Sequence, residues 1–105
     1  MFPGYKVSST VNALKTLPPG QTVFLSFAAD PAPVIFYAAN QALEHRFFSD
    51  IPYNSVINLI SGAWIVLRND EDPAVYEKRF GGKLELQFHN KLHKVFILRG
   101  SYPIP

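Results

Sequence analysis

The stretch PVIFYAANQALEHRFF, Pro33 to Phe48, carries two short apolar runs, Pro33–Ala39 and Ala42–Phe48, with Glu44, His45 and Arg46 set inside the second. Runs of this length, rich in Val, Ile and aromatic residues, read as strands rather than helices where turn signals bound them. The same kind of segment recurs at Gln21–Ala28, Ser55–Ser61, Ala63–Asn69, Ala74–Phe80, Lys83–His89 and Leu92–Arg99. Among the breaks are LPPG, ADPAP, SDIPYN, NDEDP and FGG. In these, Pro fixes φ, Gly admits positive φ, and Asn and Asp hydrogen-bond their own backbone. Eight such segments without a sustained helical period predict an all-β fold, an antiparallel sandwich of the jelly-roll kind, in one domain over residues 1–105. Asn12–Leu17 has room for one helical turn, which Pro18, Pro19 and Gly20 stop.

Composition narrows the function classes. With 48% hydrophobic and 17% charged residues the chain has enough apolar side chains for a packed core and too few charges for a disordered segment. There is no cysteine, which removes disulfide and thiolate chemistry. The net charge of +2 is spread without a basic cluster, so no nucleic-acid partner is expected. No stretch of 18 apolar residues and no apolar leader occur, so neither membrane insertion nor secretion by a signal peptide is expected, and the expected location is cytoplasmic.

Strand alternation groups the side chains. In Lys83–His89, Leu84, Leu86 and Phe88 share one face while Glu85 and Gln87 take the other. By the same rule Glu44 and Arg46 share a face about 7 Å apart, close enough to pair or to hold one small polar ligand between them. Trp64, the single tryptophan, alternates with Val66 and reads as core. His89 and His93 bracket a turn at Asn90-Lys91 without a third ligand, so no metal is expected. No serine lies in a nucleophile turn, no glycine-rich phosphate loop occurs, and Asn69–Pro73 lacks calcium-loop spacing. The expectation is a non-enzymatic protein without a cofactor.

From Glu44 to Phe80, EHRFFSDIPYNSVINLISGAWIVLRNDEDPAVYEKRF resembles the C-terminal half of a galectin. Glu44 and Arg46 match the end of the family's W-x-x-E-x-R signature, Pro52-Tyr53 its Pro-Phe turn, VINLI and WIVLRND its apolar strands, and Tyr76–Phe80 its F-x-H-R-L segment. LELQFHNKLHKVFI is similar to the family's last two strands. The resemblance implies a galectin-like sandwich that takes a glycan or glycoprotein, in the family a β-galactoside. The implied carriers are Glu44 and Arg46, with Asn40 or Tyr37 near the family's Asn position. The family's H-x-N-x-R triad falls on Ser26, Ala28 and Asp30 and its stacking Trp on Gln41, which implies weakened or altered sugar specificity. The alternative is a scaffold that acts through protein contacts, joined as a homodimer by edge strands or an apolar face. Because galectins leave the cell without a signal peptide, the resemblance keeps export open beside a cytoplasmic location.

Overall fold

A computed structural model of the protein describes residues 4–49 and 61–100, and for residues 4–8 the backbone alone. The fold is mixed α/β, not an all-β sandwich. Its elements are α1 (Gly4–Leu14), β1 (Thr22–Leu25), α2 (Pro31–Asn40), β2 (Arg46–Ser49), β3 (Trp64–Arg68), α3 (Pro73–Phe80), β4 (Lys83–His89) and β5 (His93–Arg99), with a 3₁₀ turn at Phe27–Ala29. The strands form one sheet in the order β2-β1-β3-β5-β4. β1 runs parallel to β2 and β3, while β5 runs antiparallel to β3 and β4.

Two expected strands are helices, and the physical reasons differ. Pro33–Ala39 belongs to α2, whose prolines lie in the first turn, where a missing N–H costs nothing. Val34 and Ala38, one turn apart, are fully buried. Because almost every residue of α2 is apolar, its helical period is invisible in the sequence, and packing overrides the strand preference of Val, Ile and the aromatics. Ala74–Phe80 belongs to α3, which carries ordinary helix punctuation. The Asp72 carboxylate accepts the Ala74 N–H at 2.9 Å, Pro73 opens the first turn, and Gly81 closes the helix at φ +72°. Tyr76 and Phe80, one turn apart, face the sheet.

Other segments shift less. Residues 42–45 form a turn and loop, and the strand begins only at Arg46. Asn12–Leu17 contributes to an eleven-residue α1 instead of a single turn. The segment read at Ser55–Ser61 lies outside the described residues up to Ser61, which is in a turn. β4 spans the predicted residues, and β1, β3 and β5 lie within theirs.

Helices cover both faces of the sheet, which is why β1 reads as an unbroken apolar run instead of an alternating one. Val23 and Leu25 join Val66 and Val95 under Val11 and Leu14 of α1 and Val34 and Ala38 of α2. Phe24 points the other way, with Ile65, Leu67, Phe96 and Leu98, beneath Phe80 and Tyr76 of α3. The antiparallel sandwich implied by the galectin resemblance is therefore replaced by an open sheet between two helical layers.

Candidate functional site

A groove of about 620 Å³ runs between α1 and the sheet. Ser9, Asn12 and Ala13 of α1, with Thr16 just beyond it, form one wall. Their spacing of three and four residues puts them on a single helical stripe. Trp64 of β3 and Phe88 of β4 form the floor, and Gln87 the opposite rim. Both aromatics are half-buried and pack against the core beneath α1 and α2. A register shift between Leu86 and Phe88 breaks the alternation of β4, so Gln87 and Phe88 both line the groove. The side chains of Ser9 and Asn12 are exposed and hydrogen-bond no other described group. Thr16 Oγ1 donates to Ala13 O at 2.7 Å. Among the described residues no charged side chain lines the groove.

α1, which forms that wall, is anchored on its buried side by imidazoles. Thr10 is fully buried, and its Oγ1 lies 2.8 Å from His93 Nδ1. The other ring nitrogen of His93, Nε2, lies 2.9 Å from Ala29 O. A carbonyl only accepts, so Nε2 carries the hydrogen and Nδ1 accepts from the Thr10 hydroxyl. Asn90 Nδ2 donates to the same hydroxyl oxygen at 2.8 Å, and Asn90 Oδ1 accepts the N–H groups of Leu92 and His93. Burial pushes the His93 pKa below its ordinary value, against the opposing pull of the Ala29 carbonyl, Asp30 and Glu71. Lower on the helix, buried His45 donates from Nε2 to Leu14 O at 2.8 Å.

A second polar cluster closes the carboxyl ends of β1 and β3. Glu71 Oε2 accepts the Ser26 hydroxyl at 2.5 Å and the Arg68 N–H at 2.7 Å, and its Oε1 accepts the Tyr76 hydroxyl at 2.9 Å. Each carboxylate oxygen is thus already engaged by the protein. A wider groove of about 780 Å³ beside α3 is lined by Asp72, Glu77, Lys78, Lys83, Arg99 and neighbouring glycines. Its backbone donors are also engaged: Gly81 N and Gly82 N bond Glu77 O, and Gly100 N bonds Ser61 Oγ. It therefore offers mixed charge without a free amide cradle for an anion.

The residues singled out from sequence fall into two separated groups. Ser26 is buried at the end of β1, and Asp30 follows at φ +52°, exposed at the start of α2 without a side-chain cap. Glu44 is exposed in the loop before β2, and Arg46 is exposed at its first position, opposite Thr22. The parallel β1 therefore puts about 13 Å of strand between Arg46 and Ser26. No ion pair joins Glu44 to Arg46. Asn40 is exposed at the end of α2, while Tyr37 packs against the core. Among the described residues no cluster of His, Asp and Glu could hold a metal, and His93 faces inward while His89 is exposed.

The class defined by these features is a small open-sheet α/β domain with an aromatic-floored groove beside its first helix, uncharged among the described residues. Compared with models of protein families, with curated proteins and with solved structures, the chain matches none. Sequence reasoning missed the groove because Trp64 and Phe88 alternate as core residues do, and because α1 was not recognised as a full helix. The stripe of Ser9, Asn12, Ala13 and Thr16 was the one signal that could have found its wall.

Proposed function

We propose that the domain is a non-catalytic recognition module that takes a neutral, hydroxyl-rich ligand, the class to which glycans belong, in the groove between α1 and the sheet. The observation that carries this reading is the lining: an apolar floor of Trp64 and Phe88 beneath an uncharged rim of Ser9, Asn12 and Gln87. A sugar presents a C–H face that stacks on an aromatic ring and hydroxyls that bond neutral amides and hydroxyls at its edge. Glu44 and Arg46 have no part in this site. A shallow groove with one stacking surface suits dissociation constants near 1 mM, about 4 kcal/mol of binding.

Trp64 is the only tryptophan, so its emission reports the groove directly. A panel of neutral saccharides is titrated against the wild type and Asn12→Ala, whose exposed site leaves the core untouched. The expected result is a saturable emission change that Asn12→Ala weakens severalfold. A folded protein whose Trp64 emission responds to no saccharide sinks the reading.

One feature supports a second mode of recognition through protein contact. Phe36 on the outer side of α2 is 71% exposed, and no charged residue occurs between Asp30 and Glu44. An uncharged helix face can meet its own copy about a twofold axis without like-charge repulsion. Sedimentation of the same samples is expected to show a weak dimer that Phe36→Lys abolishes. A monomer at every concentration removes this mode.

A further inference from the structure

The wall of that groove is held by a relay which works in only one protonation state, and this inference rests on the groove reading only for its consequence. Asn90 Nδ2 donates to Thr10 Oγ1, Thr10 donates to His93 Nδ1, and His93 Nε2 donates to Ala29 O. With the ring neutral, every donor of this relay meets an acceptor. A second ring proton would put two donors, the Thr10 hydroxyl and Nδ1–H, against each other in a site where His93 is 1% exposed. Thr10 would then have to give up its bond to the ring and turn its hydroxyl to a helix carbonyl, as Thr16 does to Ala13 O, while Nδ1–H is left facing an oxygen that already accepts from Asn90 Nδ2. We propose that His93 is a pH latch on α1, keeping the helix docked while its ring is neutral and releasing it on protonation, so that acid dismantles the ligand groove.

Burial sets the direction of the effect, and the charges around the ring oppose it. Asp30 at the start of α2 and Glu71 in the β3–α3 loop favour its protonation. Arg68 stands opposite His93 in the β3–β5 register and is engaged by Asp70. Lys94 follows on the other face of β5, and His89 and Lys91 are exposed around the β4–β5 turn. From α1 no charged side chain among residues 9–14 meets the ring, and Lys15 is turned to Gln41. Burial outweighs the two carboxylates, so the docked ring binds a proton less readily than an undocked one.

The sign follows from linkage. The contribution of the neutral ring to docking is complete above about pH 6.5 and is lost as the pH falls below it, until the docked ring itself titrates. Opening of α1 therefore rises by up to about tenfold per pH unit below about 6.5. His45 also touches α1, at Leu14 O, and is the second imidazole the test must separate.

Amide hydrogen exchange of the full chain, without any ligand, is measured from about pH 7.5 to about pH 5 and corrected for the intrinsic exchange rate. Expected is a loss of protection in α1 below about pH 6.5 while Ile65–Leu67 in β3 stay protected. The slope is expected to vanish in His93→Gln, which keeps one donor and one acceptor without a titratable ring, and to persist in His45→Gln. A flat α1 profile, a parallel loss across α1 and β3, or a slope that survives His93→Gln overturns the latch. Should His93→Gln fail to fold, the ring nitrogens of the wild type are followed by NMR. A ring that stays in its neutral Nε2–H form while α1 is protected supports the latch, and one that protonates without loss of protection overturns it. Saccharide binding at neutral pH is scored separately. A pH-sensitive α1 in a protein that binds no sugar keeps the latch and fells the groove reading, and a pH-flat α1 in a protein that binds sugar does the reverse.

Discussion

α1 and α3 cover opposite faces of one sheet, and they are attached by different chemistries. α3 is tied through Glu71, whose carboxylate collects Ser26, Tyr76 and the Arg68 N–H, and through an aromatic cluster. In that cluster the Phe24 ring lies 6.0 Å from Tyr76 and 5.1 Å edge-on from Phe80, with the Arg79 guanidinium 5.9 Å over Phe24. α1 is tied by aliphatic packing of Val11 and Leu14 and by a relay of neutral groups ending on His93. Hydrogen bonds to a charged acceptor are roughly twice as strong as neutral ones. The α3 side is therefore the firmer attachment, and the α1 side is the one on which the proposed latch at His93 acts. On the function proposed above, a groove walled by the weaker of two helices can be regulated without unfolding the rest of the domain.

The largest effect expected from this contrast is at Glu71. Glu71→Gln substitutes an amide donor for an oxygen that now accepts a hydroxyl or N–H proton, and the mismatch should cost about 1–3 kcal/mol of unfolding free energy in urea. Thr10→Val keeps the shape of the side chain and removes two neutral bonds, the one accepted from Asn90 and the one given to His93; with no charged acceptor among them its expected cost is smaller, about 1–2 kcal/mol. The order is the decisive quantity. If Thr10→Val proves the more damaging of the two, α1 is the firmer attachment and the contrast is inverted.

The same contrast explains what could be read from the sequence. β4 and the apolar strands β3 and β5 were legible because five to seven residues with strand formers and flanking turns leave few alternatives. α3 was legible in principle: Asp72-Pro73 before it and Gly81 after it are helix start and stop signals, but its short apolar run was matched to a strand. α2 was not legible, because a helix without a polar face has no period to detect. Glu44 and Arg46 are adjacent on a strand template, yet in the fold Glu44 precedes β2 and the shared face does not form. Glu71 and His93 escaped notice for another reason. Their partners Ser26 and Thr10 lie 45 and 83 residues away, and no local spacing encodes such a meeting.

The smallest effect is expected one residue before the largest. Asp70 grips Arg68 with Oδ1 to Nε at 2.6 Å and Oδ2 to Nη2 at 3.0 Å, and the guanidinium hydrogen bond holds its carboxyl below the usual range. By linkage such a group adds stability above its unfolded pKa and gives it up as the pH falls toward the folded one. Here the two side chains are 51% and 67% exposed, so water and salt screen the attraction and side-chain ordering offsets what is left. Asp70→Asn is therefore expected to leave the urea midpoint unchanged at physiological salt, both at neutral pH and in mild acid, although its bonds are nearly as short as those of Glu71. A clear loss of stability in Asp70→Asn would mean that distance, not burial, ranks the polar contacts at this end of the sheet, and the relay at His93 would then have to be weighed by its bond lengths alone.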